Sequence, residues 1–197
     1  MRFYVLLDTS GSMEGAKIAA LNDAMSNLLA ELKQISSSSN QVIDIAVLSF
    51  GKEARWMYNH PVNVKEFAWS NLSAGGMTPL GKACIELNKD LESNNWKGDD
   101  EIYIVLLSDG CPTDDYDEGI GALLANPHFI NADKFAIAIG DNADRSALSR
   151  FVETNSHVYV QNRADELLDT LQSIICDIKI AVPNTHSTEE DDDDEWA

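Results

Sequence analysis

Basic residues are scarce in this sequence: 14 Lys and Arg stand against 33 Asp and Glu, a formal net charge of −19. Binding phosphates requires a Lys- and Arg-rich surface, so nucleic acid is excluded as a partner and basic proteins or metal ions are favoured. The acids are unevenly spread. Glu189 to Glu195 holds seven of them and no base, and the remaining 26 acids against 14 bases leave residues 1–188 at −12. Cysteine is also sparse. Cys84, Cys111 and Cys176 lie far apart without the C-x-x-C spacing of zinc or redox sites, so they read as reduced, structural thiols. No apolar run approaches the roughly 18 residues of a membrane span. No basic segment precedes the first apolar run at Phe3, so the expectation is a cytoplasmic protein with no membrane partner. Without a secretory signal, the glycosylation-like triplet Asn71-Leu72-Ser73 carries no weight.

What the sequence does have is core. A chain of 197 residues, 44% hydrophobic, suits one domain with a sizeable interior. Phe3 to Leu7, Val42 to Phe50, Ile102 to Leu107, Phe135 to Ile139 and Val158 to Val160 are short, nearly continuous apolar runs, as expected of central parallel strands covered on both faces. Helical spacing falls between them, at Ile18, Leu21, Met25, Leu28, Leu32 and Ile35, at Leu80, Cys84, Leu87 and Leu91, and at Leu167, Leu171, Ile174 and Ile178. Weaker helices fit Gly119 to Ala125 and Asp144 to Val152, Ser36 to Asn40 reads as a polar turn, and no internal repeat is present. The alternation predicts an α/β fold, a doubly wound, mostly parallel sheet with helices on both faces. Arg55 to Tyr58 would add one antiparallel edge strand. The domain is expected over residues 1–180, followed by a disordered acidic tail over 181–197 whose composition cannot offset the entropy of ordering.

In open α/β sheets, ligands collect beyond the carboxyl ends of the strands. There the first strand continues into Asp8-Thr9-Ser10-Gly11-Ser12, a carboxylate and two hydroxyls at alternate positions around a glycine bend. The strand ending at Leu107 continues into Ser108-Asp109-Gly110, and Gly75-Gly76-Met77-Thr78-Pro79 offers a third hydroxyl before a helix. Asp8, Ser10, Ser12, Thr78 and Asp109 therefore form a candidate metal site. Two carboxylates and three hydroxyls suit a hard cation, Mg²⁺ with Mn²⁺ or Ca²⁺ as alternatives, and disfavour zinc. Two carboxylates roughly neutralise a divalent ion, so the metal stays electrophilic toward an incoming Asp or Glu.

Each residue also has a plainer reading. Asp8, Ser10 and Ser12 suit a capped turn at the start of the next helix, and Thr78 suits an N-cap before Pro79, a role that can coexist with metal binding. Asp114, Asp115, Asp117 and Glu118 lack EF-hand spacing and read as a solvated rim that selects partners.

These motifs resemble the von Willebrand factor A domains, whose metal-ion-dependent adhesion site runs D-x-S-x-S, then a distant Thr, then a distant Asp. Asp8-Thr9-Ser10-Gly11-Ser12-Met13, Gly76-Met77-Thr78-Pro79-Leu80-Gly81 and Ser108-Asp109-Gly110-Cys111-Pro112-Thr113-Asp114 look most like the small bacterial tellurium-resistance (TerY-like) members, over roughly residues 3 to 180. The resemblance implies direct metal contacts from Ser10, Ser12 and often Thr78, with Asp8 and Asp109 acting partly through water. It implies a non-enzymatic protein-interaction module in a bacterial chemical-stress response, with a protein kinase or PP2C-type phosphatase among its partners.

Four other readings stand beside this one. A Mg²⁺-dependent phosphoester hydrolase would use the open metal positions to activate water, but Ser10 stands where an aspartate-nucleophile phosphatase needs a second carboxylate, and no His lies near the motifs in sequence. Gly76 to Lys82 imitates a phosphate-binding loop, yet Ala83 replaces its hydroxyl and Pro79 removes a donor. A vestigial site would leave recognition to the acidic surface and tail. The tail, with Trp196 beside its acids, could also dock into the metal site and cause self-association. From Ile180 to Asp194 the chain spans at most about 46–50 Å, nearly all of it needed to round a domain roughly 40 Å across, so capture by a neighbouring molecule is easier than capture within one chain.

Overall fold

In the computed structural model, residues 1–39, 41–93, 101–109, 111–141, 143–153, 158–161 and 164–181 are described. The expected disordered tail, with Trp196, and also Trp96 and Gly110, lies outside the described residues. Seven strands make one sheet: β1 (Arg2–Asp8), β2 (Asp44–Phe50), β3 (Ala54–Trp56), β4 (Val62–Asn63), β5 (Ile102–Ser108), β6 (Asp133–Ile139) and β7 (Val158–Gln161). The order is β3-β2-β1-β5-β6-β7, with β4 also on β2. β2, β1, β5, β6 and β7 pair in parallel. The expected edge strand is β3, which is antiparallel to β2 and ends at Trp56. The two-residue β4, which has no sequence signal, pairs antiparallel with the start of β2.

The apolar runs are nearly continuous because both faces of the sheet are covered. Phe3, Val5 and Leu7 of β1 face α1 (Ala16–Ser38) and α6 (Ala164–Ala181), while Tyr4 and Leu6 face α2 (Leu80–Ser93), α3 (Tyr116–Leu124), α4 (Pro127–Ile130) and α5 (Arg145–Val152). Among the described residues no helix is long and apolar enough to cross a membrane. Of the three thiols only Cys84 is buried; Cys111 and Cys176 are exposed, so the structural reading fits Cys84 alone.

One local expectation changes, and one short helix is added. The polar turn expected from Ser36 is the last turn of α1, which runs through Ser38, with the Ser37 and Ser38 hydroxyls folded back onto the carbonyls of Lys33 and Ile35. α4 is a single turn, capped by Asn126, whose side chain accepts from the amides of His128 and Phe129.

The C-terminal carbonyls of α4 find an unusual donor. Lys134 of β6 is buried, and its ammonium donates to the carbonyls of Phe129, Ile130 and Ala132 at 2.8, 3.1 and 3.3 Å while pairing with Glu153 at 3.1 Å. Lys134→Met removes the donor those groups share and is expected to destabilise the domain by about 2–3 kcal/mol. The check is a lower urea midpoint at unchanged slope; an unshifted midpoint would show the ammonium to be dispensable.

Candidate metal centre

β1 and β5 lie side by side at the centre of the sheet, and the chain leaves β1 toward β2 on one side and reaches β6 from β5 on the other. This is a topological switch point, where the loops beyond the strand ends part and open a crevice. Asp8 closes β1 and Asp109 follows β5 directly, so the two carboxylates come to the same edge.

Asp8 is fully buried. Its Oδ1 accepts from the Ser10 amide at 2.8 Å and its Oδ2 from the Ser108 hydroxyl at 2.6 Å. Burial pushes the Asp8 carboxyl above its usual range, with the bonds from Ser108 and Ser10 opposing and the Asp109 charge adding to the rise. From Ser10 the contacts continue: its Oγ lies 2.9 Å from Ser12 Oγ, which donates to Asp109 Oδ1 at 2.7 Å. The remaining oxygen of Asp109 pairs with the ammonium of Lys17, from the first turn of α1.

Four of the five expected residues, Asp8, Ser10, Ser12 and Asp109, are thus joined in one network. None of the first three caps α1, whose N-cap is Gly15, but Asp8 does cap the turn that follows it, its Oδ1 accepting from the Ser10 amide, while Ser10 makes no side-chain capping bond. Thr78 is buried on a loop tied to the same strand end, through Gly75 N to Thr9 O at 2.7 Å and Gly11 N to Gly76 O at 3.1 Å.

Thr78 does not cap α2. Asp114 does so from 33 residues away, its two oxygens accepting from the amides of Gly81 and Lys82 at 2.9 and 2.8 Å. Thr113 brackets Thr78 from the same segment, its Oγ1 accepting from Thr78 N and its amide donating to Thr78 O, both at 3.0 Å. The Thr78 hydroxyl is therefore not committed to the helix.

The expected rim is solvated, with Asp115, Asp117 and Glu118 exposed and Asp114 half-buried, but three of its acids also have structural roles. Asp114 caps α2, Asp115 caps α3 through the Glu118 amide at 3.0 Å, and Asp117 pairs with Arg150 at 2.7 Å. Ser108, Lys17, Thr113 and Asp114 are the working residues that sequence reasoning missed. Only Ser108 carried a local signal, as a hydroxyl at a strand end.

Among the described residues no three His, Cys, Asp or Glu side chains gather, so the centre is a hydroxyl-rich set with carboxylates at its two ends. All its donors are oxygens, and the presence of the Lys17 ammonium shows that the geometry accepts a cation. The donor set fits a hard divalent ion. The His60 ring meets Pro61 O and lies outside the network.

The family model for the von Willebrand factor type A domain matches residues 3–174. Among solved structures, the ArnB paralog VWA2 from Sulfolobus acidocaldarius is similar with a TM-score of 0.63 at 23% identity, over 87% of this chain and 44% of that one. The vWF domain of the type V pili tip protein Mfa5 from Porphyromonas gingivalis aligns with a TM-score of 0.73 at 10% identity, over 95% and 97%. Proximal thread matrix protein 1 from the mussel byssus, with a zinc-occupied MIDAS motif, aligns with a TM-score of 0.63 at 13% identity, over 88% and 44%. The chain thus spans less than half the length of the Sulfolobus and mussel chains and nearly all of the Porphyromonas one. Among curated proteins no sequence match is found.

Proposed function

Starting from the fact that this chain belongs to the von Willebrand factor type A domain family, we propose that it is a metal-dependent protein-interaction module that captures a partner's Asp or Glu at the centre built on Asp8, Ser10, Ser12, Thr78 and Asp109. The observation that carries this reading is the continuous network from Asp8 through Ser10 and Ser12 to Asp109 at the switch point of the sheet. Domains of this family are typically interaction modules rather than enzymes.

Ser10, Ser12 and Thr78 would supply neutral oxygens and Asp8 and Asp109 the charge. The bound ion would act as a Lewis acid with a position open to an outside carboxylate. Ser108 and the Ser10 amide hold the Asp8 carboxylate in one orientation, and Thr113 with Asp114 holds the Thr78 backbone at the mouth of α2. Mg²⁺ is the proposed resident, with Mn²⁺ and Ca²⁺ as alternatives. Zinc joins the comparison because the mussel protein is described with that ion in its site.

The finer context rests on the tellurium-resistance-like motifs: a cytoplasmic bacterial stress system, with a kinase or PP2C-type phosphatase as the acidic partner, and self-association through the acidic tail as a competing use of the same site. A phosphoester hydrolase has less support, since the carboxylates of the network, Asp8 and Asp109, are themselves the proposed ligands and Ser10 stands where a second catalytic carboxylate would be needed.

The test is calorimetry and thermal denaturation of chelator-treated protein with Mg²⁺, Mn²⁺, Ca²⁺ and Zn²⁺ in turn. A ligand at about 100 times its Kd is expected to stabilise the fold by about 2.7 kcal/mol, and Asp8→Ala should abolish both heat and stabilisation. If none of the ions produces heat or a shift, the site is vestigial and the proposal fails. Self-association that ignores chelator, or survives removal of residues 189–197, would rule out the tail as a ligand.

A further inference from the structure

Lys17 is the one group in the network that a metal site would not be expected to contain. Its ammonium pairs with Asp109 Oδ2, while Asp109 Oδ1 takes the Ser12 hydroxyl, so both oxygens of that carboxylate are engaged. The Asp109 side chain is 1% exposed and that of Lys17 38%, which puts the charged end of the lysine inward and its stem at the surface.

The stem runs past Gly140, just beyond β6. Gly140 has a φ of 92°, and a Cβ there would stand 3.3 Å from Lys17 Cε and 3.4 Å from Nζ. A side chain at Gly140 would thus crowd the end of Lys17 where it meets Asp109. Asp8 differs, its oxygens being taken by the neutral Ser10 amide and Ser108 hydroxyl.

We infer that Lys17 is a tethered counter-cation of the centre, which lowers its affinity for a free divalent ion and leaves the loaded centre with a net positive charge that recruits an acidic ligand. Two carboxylates and one ammonium sum to −1, so a divalent ion takes the centre to +1, and an incoming carboxylate returns it to neutrality. Without Lys17 the ion alone would neutralise the cup, binding more tightly and attracting a carboxylate less. Metal retention and ligand capture are thereby coupled. The inference rests on the metal-binding reading above.

The experiment compares wild type with Lys17→Met, Lys17→Gln, Lys17→Arg and Lys52→Met, each checked for folding by circular dichroism. Lys52 is exposed beside Gly75 and controls for the loss of one nearby positive charge. In calorimetric titration with Mn²⁺, Lys17→Met and Lys17→Gln are expected to bind about tenfold tighter, a modest share of what unit charges a few ångströms apart exert near a protein surface. Lys17→Arg and Lys52→Met should stay within about threefold of wild type. At saturating Mn²⁺, acetate as a minimal carboxylate probe should bind Lys17→Met about tenfold more weakly than wild type.

Equal or weaker Mn²⁺ binding by both neutral variants, an equal gain from Lys52→Met, or unchanged acetate binding overturns the role of Lys17 while the metal reading stands. Absence of Mn²⁺ binding in the wild type and every variant overturns both.

Discussion

Gly119→Ala is expected to destabilise the domain by about 3 kcal/mol, at the upper end of ordinary overpacking costs, while Gly121→Ala, two residues further along the same helix, stabilises it by about 0.5–1 kcal/mol. The contrast comes from where α2 and α3 touch. A Cβ on Gly119 would lie 2.2 Å from Gly81 O, and one on Gly81 would lie 2.3 Å from Asp115 O, so the helices meet backbone to backbone and no side chain is there to yield. Making room means separating the helices, which loosens the packing of Leu80, Ala83 and Leu87 with Ile120 and Leu123. It also draws Asp114 away from the first turn of α2. Gly121 has nothing within 4 Å of a built Cβ, and there alanine contributes only its better helix propensity. Thermal denaturation should place Gly119→Ala about 6–12 °C below wild type and Gly121→Ala slightly above it. Equal midpoints for the two variants would mean that the contact is not a tight one.

The second large effect separates function from stability. Asp8→Asn should abolish stabilisation by Mg²⁺ yet leave the metal-free domain more stable than wild type at neutral pH, by about 1–3 kcal/mol. The amide keeps both bonds, its oxygen accepting from the Ser10 amide and its nitrogen donating to Ser108 Oγ, while the charge buried beside Asp109 disappears. A carboxyl whose folded-state pKa is raised contributes stability that is fully present below its unfolded value of 3.8 and is lost as pH rises through the folded value. Metal-free wild type should therefore lose stability across the range above pH 3.8 on account of this group, and Asp8→Asn should lack that loss. Urea denaturation in chelator at pH 4 and pH 7 measures both. A variant less stable than wild type at pH 7 would show that the Asp8 charge is not a burden on the metal-free fold.

The central strands and long helices were legible because each is written in local periodicity, and Asp8, Ser10, Ser12 and Asp109 because they follow directly on the two central strands; the order of the strands was not. Thr78 was legible by motif, but its setting was not. The irregular chain before it is held by contacts with no sequence rhythm: Asn22 exchanges two hydrogen bonds with the Leu72 backbone, Lys33 donates to Phe67 O, and the Ala68 amide donates to the Tyr58 hydroxyl. Asp114 was read as one acid of a solvated rim because no local pattern marks its service to a helix 33 residues earlier. The pairing of Lys17 with Asp109 spans 92 residues and has no local trace at all. α4 had its signal in Asn126-Pro127, but one turn is too short to show a period.

The place of β1 in the sheet has a mechanical consequence. Its residues Arg2 to Asp8 are in register with Asp44 to Phe50 on one side, and Arg2 to Leu7 with Ile102 to Leu107 on the other, all running the same way. A pull on the loop after Asp8, against the opposite ends of the neighbouring strands at Asp44 and Ile102, is directed along that strand. It loads both ladders in shear, so their hydrogen bonds resist together rather than peeling open one at a time, and a tether gripping this loop would hold the domain by its strongest axis.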